Sequence, residues 1–277
     1  MKQKKSGAWS TILLILILLI GLSLMLYPSF SNWWNSFHQT RVIDSYREEI
    51  LHIDPNLYDE IWESAYAFNQ ELREKNQAFS LSPIMKEKYM QQLNVTGNGV
   101  MGYIEIPSIG VQLPVYHTVD DVVLQIAVGH IEWTNLPVGG ESTHCVLSGH
   151  RGLPSAKLFS NLDKLREGDT FLLHILDETL TYEVDQILIV LPEETQDLMI
   201  EEGKDLCTLV TCTPYGVNSH RLLVRGHRIA NAAQAANVRV TADALRIQPL
   251  VVAAVLFFPF LLLILLIISL FDRKKKQ

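Results

Sequence analysis

Two long apolar runs without a charged side chain lie near the two ends of this 277-residue chain. The first covers residues 9–27 and the second covers residues 249–271. Each is about as long as the ~20 residues that a helix needs to cross the hydrocarbon core of a bilayer. Runs of this length are hard to bury inside a small domain. We therefore expect a transmembrane helix near each end and a folded domain between them.

Basic residues flank both runs on the side away from the central domain. The segment 1–8 contains "MKQKK", and the segment 272–277 reads "DRKKKQ". Clusters of lysine and arginine beside a membrane span tend to stay in the cytoplasm. We therefore predict that both tails are cytoplasmic and that residues 28–248 lie outside the cell membrane.

The first run has a second interpretation as a cleaved signal peptide, because it follows a basic segment. No A-x-A-like cleavage site comes after it; the chain continues "YPSFSNWW". Trp33 and Trp34 suit the aromatic belt that marks the edge of a bilayer. We favour an uncleaved anchor over a signal peptide.

Cysteine content and charge limit the kinds of site to expect. The three cysteines are Cys145, Cys207 and Cys212, and an odd number in an exported domain leaves at least one thiol unpaired within the chain. The sequence has neither a C-x-x-C motif nor a His/Cys cluster with zinc spacing, so we predict no metal and no cofactor. The formal net charge of −7 argues against a nucleic acid as partner.

The exported part divides by its patterns. Residues 28–75 have the apolar periodicity of two short helices, and residues 76–99 form a flap or linker with a Ser-Pro turn and an Asn-Gly pair. Residues 100–229 contain many short runs rich in β-branched and aromatic residues, which is typical of a β-barrel or sandwich. Within them, residues 155–165 read as one helical insertion. Residues 230–248 form a tether to the second span.

Three residues in the barrel region could together support cysteine chemistry. Cys212 ends a predicted strand, Arg221 follows nine positions later on the next strand, and His150 lies upstream. A nucleophilic thiolate needs a neighbour that stabilises it, and acyl transfer needs a proton donor and a group that holds the oxyanion. Taken singly, each residue also has an ordinary structural explanation, since a lone cysteine is most often a small buried hydrophobe.

The surrounding motifs resemble the sortase family. "TLVTC" (208–212) is followed by "TPYGVNSHRLLVRG", and upstream lie "LSGHRG" and "GYIEIPSIGVQLPVYH". The likeness covers residues 97–229 and is strongest to the pilus-assembling class C sortases. It implies a mostly β fold, an eight-stranded barrel with N-terminal helices and a transmembrane helix at each end.

The resemblance also implies a mechanism. Cys212 would be the nucleophile, His150 the general acid/base, and Arg221 the group that holds the oxyanion or positions the substrate. Sortases cleave a sorting signal of the LPxTG type between Thr and Gly and pass the acyl group from the cysteine to an amine. In pilus assembly that amine is a lysine of the next pilin subunit, so pilin subunits are the expected partners.

Strand alternation separates these residues from their neighbours. If Cys212 faces the groove, Cys207 faces the core, because successive side chains of a strand point to opposite faces. By the same reasoning Cys145 is a buried structural residue. Arg225 shares the face of Arg221 but lies roughly 13 Å from it. We treat the remaining candidate histidines as structural; they are His117, His130 and His144.

The flap departs from the family pattern. Class C sortases usually carry an Asp-Pro-aromatic motif over the active site, whose aspartate pairs with the triad arginine. Here the corresponding residues are Ser82, Pro83 and Ile84, with Phe79 nearby. Because Ser82 carries no charge, we expect this possible lid to be open or loosely docked.

Two other functions fit the same chain less well. A housekeeping sortase would attach proteins to peptidoglycan, but the second span and the long N-terminal helices argue against it. A non-catalytic membrane-tethered β-domain would serve as a scaffold. Such a scaffold gives no reason for Cys212 to react faster with a thiol probe than Cys145 and Cys207.

Overall fold

The computed structural model describes residues 6–75 and 79–231. The predicted second span at 249–271, the tail at 272–277 and the tether beyond residue 231 lie outside the described residues. The remaining parts of the chain form four helices and eight strands.

The first helix, α1, runs without interruption over Ser6–Leu51 and includes Pro28. The sequence predicted a span at 9–27 followed by a separate short helix, and the separation is wrong. Within this helix, Leu13–Leu51 contains a segment that is long and apolar enough to cross a membrane. The same helix then continues onto the barrel, where Ile43, Tyr46 and Ile50 are buried.

Two further helices precede the barrel: α2 (Pro55–Glu74) and α3 (Pro83–Gln91). Helix α2 buries Ala65, Phe68 and Leu72, which lie on one face because they are three and seven residues apart. Helix α3 occupies the predicted flap and buries Met85 and Tyr89, one turn apart. All of these side chains belong to the main hydrophobic core.

The eight strands form a closed barrel in the order β1-β2-β3-β4-β7-β8-β6-β5, which confirms the predicted eight-stranded barrel. Their bounds are β1 (Val100–Ile106), β2 (Val111–His117), β3 (Val128–His130), β4 (Thr143–Ser148), β5 (Thr170–Ile175), β6 (Glu178–Val190), β7 (Asp205–Thr213) and β8 (His220–Ile229). Strand β7 pairs in parallel with β4 and antiparallel with β8. It is therefore interior to the sheet and carries Cys212 at its end.

The barrel has an apolar interior and a second apolar cluster on its outer surface. Cys207, Leu209, Leu222 and Val224 point inward into the main core. Val210 belongs to the outer cluster, which is made of Val146, Leu198, Val210 and Leu223. We call this set the outer apolar cluster.

The connections differ from the sequence prediction in three places. Residues 155–165 do not form an α-helix; they contain only a 3-10 turn at Leu162–Lys164. The reason is local, since Leu158 has a φ of 36°, which an α-helix does not allow. The short helix α4 (Asp121–Leu124) and strand β3 were not predicted, because three or four residues are too few to establish a period.

Candidate active site

The β7–β8 hairpin places Cys212 directly opposite Arg221. Residues opposite one another in an antiparallel pair project from the same face of the sheet and have Cα atoms about 4.5–5.5 Å apart. The thiol and the guanidinium therefore share one side of the barrel. Further along the same ladder, Thr208 lies opposite Arg225.

This side is the outer face of the barrel, as strand alternation predicted. Cys212 is half-buried, whereas Cys207 is fully buried within the core. Cys145 is also buried and lies beside Cys207 in the parallel β4–β7 pair. The inward orientation predicted for the other two cysteines is thus confirmed, and among the three only Cys212 is reachable from solvent.

His150 lies just beyond β4, in a loop that is attached to the end of β7. The amide of Gly149 donates to the carbonyl of Val210 at 3.0 Å, and the hydroxyl of Thr211 donates to the carbonyl of Gly149 at 2.7 Å. A side chain at Gly149 would come within 2.7 Å of the Phe159 ring, so the close approach requires glycine. These bonds hold the residue before His150 against the residue before Cys212.

Arg221 is half-buried, and its guanidinium donates to the backbone carbonyls of Asn218 at 3.2 Å and His220 at 3.1 Å. In residues 6–75 and 79–231, no carboxylate forms an ion pair with it. A guanidinium keeps its charge at any physiological pH and offers five donors. Arg221 therefore has positive charge and hydrogen-bond donors available for a ligand.

Arg225 has the opposite environment. It donates to both carboxylate oxygens of Asp185, at 3.0 and 3.1 Å, and to Glu201 at 2.7 Å. Its side chain is only 14% exposed. These carboxylates raise the pKa of Arg225 against the lowering effect of burial. Arg225 thus fastens β8 to β6 and to the β6–β7 loop, which explains its presence without catalysis.

The outer apolar cluster begins two residues before Cys212, at Val210. Leu198, from the β6–β7 loop, packs over it. Partly exposed apolar side chains surround it; they are Ile131, Trp133, Leu188 and Val190. An apolar surface therefore leads along the outside of the barrel toward the thiol.

Arg151 is a residue that the sequence did not single out. Its guanidinium forms an ion pair with Asp163 at 2.6 Å and donates to the hydroxyl of Thr213, next to Cys212, at 3.4 Å. Its side chain is 11% exposed. The adjacent Gly152 has a φ of +77°, and a side chain there would come within 2.9 Å of Tyr215. Its position next to His150 in "GHRG" was the only available signal.

The other three candidate histidines, His117, His130 and His144, are buried and hydrogen-bonded, which supports their structural assignment. His130 meets the hydroxyl of Tyr89 at 2.9 Å and the carbonyl of Asn135 at 2.8 Å. Burial lowers the pKa of both His117 and His144 below the ordinary value. Within the described part of the chain, no group of three or more His, Cys, Asp or Glu side chains could hold a metal ion.

The flap differs from expectation, because it is not loosely docked. Ser82 caps helix α3 by accepting a hydrogen bond from the amide of Met85 at 3.4 Å, and Pro83 occupies the first helical turn. Ile84 is 72% exposed. The helix is held by its buried residues on the other face. These three residues therefore build the start of a helix, and the hydroxyl of Ser82 faces the helix rather than Arg221.

Comparison with known proteins identifies the family to which this protein belongs. A sortase domain model matches residues 104–229. The chain is 49% identical to sortase C1 from Streptococcus agalactiae, with a TM-score of 0.68, and the match covers 69% of this chain and 100% of that structure. The chain therefore belongs to the sortase family, whose members are cysteine transpeptidases.

Two further relatives are similar to large parts of this chain. Sortase C from Clostridium perfringens, solved with the C-terminal cell wall sorting motif, is 41% identical with a TM-score of 0.62, over 69% of this chain and 100% of that one. Sortase D from Bacillus subtilis is 30% identical over 131 residues, which are 46% of this chain. The match spans 63% of that relative, less than two thirds of its length.

Proposed function

We propose that this protein is a membrane-anchored transpeptidase that uses Cys212 to capture an acyl group from an LPxTG-type sorting signal. The observation that carries the proposal is the pairing of Cys212 with Arg221 across the β7–β8 ladder, with the His150 loop hydrogen-bonded to the same strand end. No other described cysteine combines exposure with a neighbouring unpaired cation.

The reaction follows from these positions. The Cys212 thiolate attacks the carbonyl carbon of the signal threonine, and a C–S bond forms. Arg221 donates hydrogen bonds to the oxygen that becomes negative. The C–N bond to glycine then breaks, and His150 gives a proton to the leaving amine. The result is an acyl thioester on Cys212.

The second half of the reaction transfers the acyl group to an amine. An incoming lysine Nζ attacks the thioester carbonyl, His150 removes a proton from it, and the thiolate leaves. We assign this lysine to a pilin subunit, because the chain resembles class C sortases over the whole length of sortase C1. The leucine and proline of the signal would lie on the rim of the outer apolar cluster, near Val210.

Helix α1 supports a membrane location for this activity, since it combines an apolar segment with a barrel-packing segment in one helix. We assign the barrel to the outside of the cell membrane and both termini to the cytoplasm, on the strength of the basic segments that flank the apolar runs. Nucleic acid has no place in this scheme.

A ladder assay tests the proposal. The full chain in liposomes is incubated with a candidate pilin that carries the signal and its lysine, and covalent multimers are followed on a denaturing gel. A pilin whose acceptor lysine is changed to arginine serves as the matched substrate. Multimers with the first and only cleaved monomer with the second are expected.

The alternatives predict other patterns. A housekeeping sortase would join the signal to a peptidoglycan-type amine and leave the pilin lysine unused. A scaffold would neither cleave nor join, and Cys212 would react with a thiol probe no faster than Cys145 and Cys207. Absence of cleavage with every LPxTG-type signal would refute the enzymatic proposal.

A further inference from the structure

One loop links the candidate active site to helix α1. It leaves the barrel at His150 and returns at Phe159, whose amide donates to the His150 carbonyl at 3.1 Å, so the ends of the loop are tied together. Near its tip, the carbonyl of Ser155 accepts from the side chain of Asn35 at 2.8 Å, and the amide of Lys157 donates to the side chain of Asn32 at 2.8 Å. We call residues 150–158 the histidine loop.

The two asparagines fix the height of this loop along α1. Asn32 and Asn35 lie on either side of Trp33 and Trp34 in the sequence. Because an α-helix rises about 1.5 Å per residue, both hydrogen bonds lie within about 3 Å of the two tryptophans along the helix axis. The tip of the histidine loop is thus level with the tryptophans.

These tryptophans mark the boundary of the apolar segment. Phe30, Trp33, Trp34 and Phe37 are all exposed and follow one another at helical spacing, so they line one face of α1. Asn32 and Asn35, with Gln39 further on, face the barrel instead. An exposed aromatic stripe directly after an apolar run is the usual arrangement at the edge of a bilayer.

The dimensions agree with this placement. Residues 9–27 span about 28 Å as a helix, close to the ~30 Å thickness of the hydrocarbon core. The headgroup layer adds roughly 5–7 Å on each side, which corresponds to the next few residues of α1. Asn32 lies about 7.5 Å beyond residue 27 along the helix axis, at the outer edge of the headgroup layer, and Asn35 lies about 12 Å beyond it, just outside that layer. The loop bonded to them lies at the same depth.

We propose that the histidine loop rests on the lipid headgroups of the membrane that α1 spans, with the Lys157 side chain directed to headgroup phosphates. Lys157 is exposed, and a lysine at this depth extends its amine toward phosphate. This inference rests on the membrane anchoring by α1 in the proposed function. It adds the bilayer surface as a direct contact of the loop that carries His150.

The arrangement has a consequence for substrate choice. The base of the loop is closed by the His150–Phe159 bond, so in this proposal only one short loop separates His150 from the headgroup layer. A sorting signal that is still tethered to the same membrane is then held at high effective concentration beside the site. Membrane-tethered substrates should therefore be preferred over soluble ones with the same signal.

Site-specific quenching tests the contact. The full chain with Cys212→Ala, which leaves only the buried Cys145 and Cys207, is placed in lipid nanodiscs that contain a headgroup-labelled nitroxide lipid. A bimane dye is attached at Lys157→Cys. Phe30→Cys, in the aromatic stripe, and Leu51→Cys, the exposed end of α1 about 24 Å beyond Asn35, are the matched positions.

We expect quenching at position 157 to lie within about twofold of that at position 30 and at least about threefold above that at position 51. Adding Asn32→Ala and Asn35→Ala should reduce it, because both contacts between loop and helix are removed. Strong quenching at 30 with quenching at 157 no greater than at 51 would overturn the loop contact and leave the anchor intact. Weak quenching at 30 would overturn the anchor, and the loop contact with it.

Discussion

The two ends of the β7–β8 ladder carry the same kinds of residue in opposite circumstances. At one end lie Cys207 and Arg225, and at the other lie Cys212 and Arg221. Cys207 is sealed in the core, and Arg225 is bound by Asp185 and Glu201. Cys212 is partly open to solvent, and Arg221 donates only to backbone carbonyls among the described residues.

The difference shows that residues that stabilise the fold and residues available to a substrate occupy different ends of the same pair of strands. A charge already neutralised by two carboxylates has little left to offer a substrate, and a thiol inside a barrel cannot meet one. Charge left unpaired at a strand end is held in place by the fold and remains available to a ligand. The partners of each residue, rather than its type, decide its role.

Replacing each cysteine with alanine is the most direct test of the different roles of Cys212 and Cys207. Cys212→Ala should abolish cleavage and joining, a loss of at least about 10³-fold, because the nucleophile is removed. Cys207→Ala should keep activity and lower the free energy of unfolding by about 1–2 kcal/mol, the usual effect of a small core truncation. Initial rates on a fluorogenic LPxTG peptide and chemical denaturation measure the two effects. Equal loss of activity in both variants would contradict the division.

The two arginines give the next largest effect. Arg221→Lys should lower kcat/KM by about 10²–10³-fold without changing the melting temperature, because lysine lacks the planar set of donors near the oxyanion. Arg225→Lys should instead lower the free energy of unfolding by about 1–2 kcal/mol through its lost bidentate bond, with kcat changed by less than about threefold.

Full activity of Arg221→Lys would remove Arg221 from the catalytic group. A loss of kcat in Arg225→Lys as large as that in Arg221→Lys would show that the ion-pair network also sets the geometry of the site. Both variants keep the positive charge, so neither result would reflect net charge alone.

Much of this ladder could be read from the sequence. The strand that ends at Cys212 follows from its β-branched pattern, and the inward orientation of Cys207 follows from a period of two residues. The choice of Arg221 over Arg225 came from the resemblance to sortases. The role of Arg225 could not be read, because Asp185 and Glu201 reach it only after the barrel closes. Arg151 was missed for the same reason, since its partner Asp163 belongs to a segment whose backbone is irregular.

For the flap, the sequence did not predict how the segment packs on the barrel. The sequence distinguished Ser82, Pro83 and Ile84 from the Asp-Pro-aromatic motif of class C sortases, but it gave no sign of how firmly the segment docks. That depends on Met85 and Tyr89, which pack on the barrel core. Helix α1 was divided incorrectly because its apolar and amphipathic parts have different patterns, although the backbone continues through both.

A smaller, pH-dependent effect on stability is expected at the end of the β7–β8 ladder where Cys207 and Arg225 lie. The Nδ1–H of His144 donates to the carbonyl of Met199 at 2.8 Å, and its Nε2 shares a hydrogen bond with the hydroxyl of Thr208 at 2.7 Å. Burial lowers the pKa of His144 below the ordinary value of 6.5, and nearby Arg225 acts in the same direction, while the hydrogen bond to the Met199 carbonyl and the charges of Glu201 and Asp185 oppose them. The folded protein therefore takes up a proton here less readily than the unfolded chain does.

The lowered pKa of His144 determines the direction in which the free energy of unfolding changes with pH. The contribution of His144 is fully present well above pH 6.5 and is lost as the pH falls through 6.5 toward the folded pKa. The free energy of unfolding of the wild type should thus decrease between pH 7.5 and 5.5, and the decrease should be shallower in His144→Gln. Denaturation curves across this range measure both slopes. An equally steep decrease in the variant would exclude His144 as the source.

The smallest expected effect concerns the flap and the rate at which Cys212 is labelled. The Phe79 ring lies edge-on to Trp133, with centroids 5.2 Å apart, and Trp133 packs against the outer apolar cluster that leads to Cys212. Deleting the flap would also remove Met85 and Tyr89 from the core, so a point change is the cleaner test. An aromatic pair contributes about 0.5–1.5 kcal/mol, and Phe79 is 59% exposed.

Phe79→Ala should therefore speed the labelling of Cys212 by a small thiol reagent only modestly, by roughly two- to tenfold. Ile84→Ala is the control, because Ile84 is more exposed and should leave the rate unchanged. No change in Phe79→Ala would mean that the flap does not limit access to the thiol. Acceleration well beyond tenfold would mean that Phe79 makes one of several contacts that form together when the flap closes. Cys212 would then be accessible to solvent only part of the time.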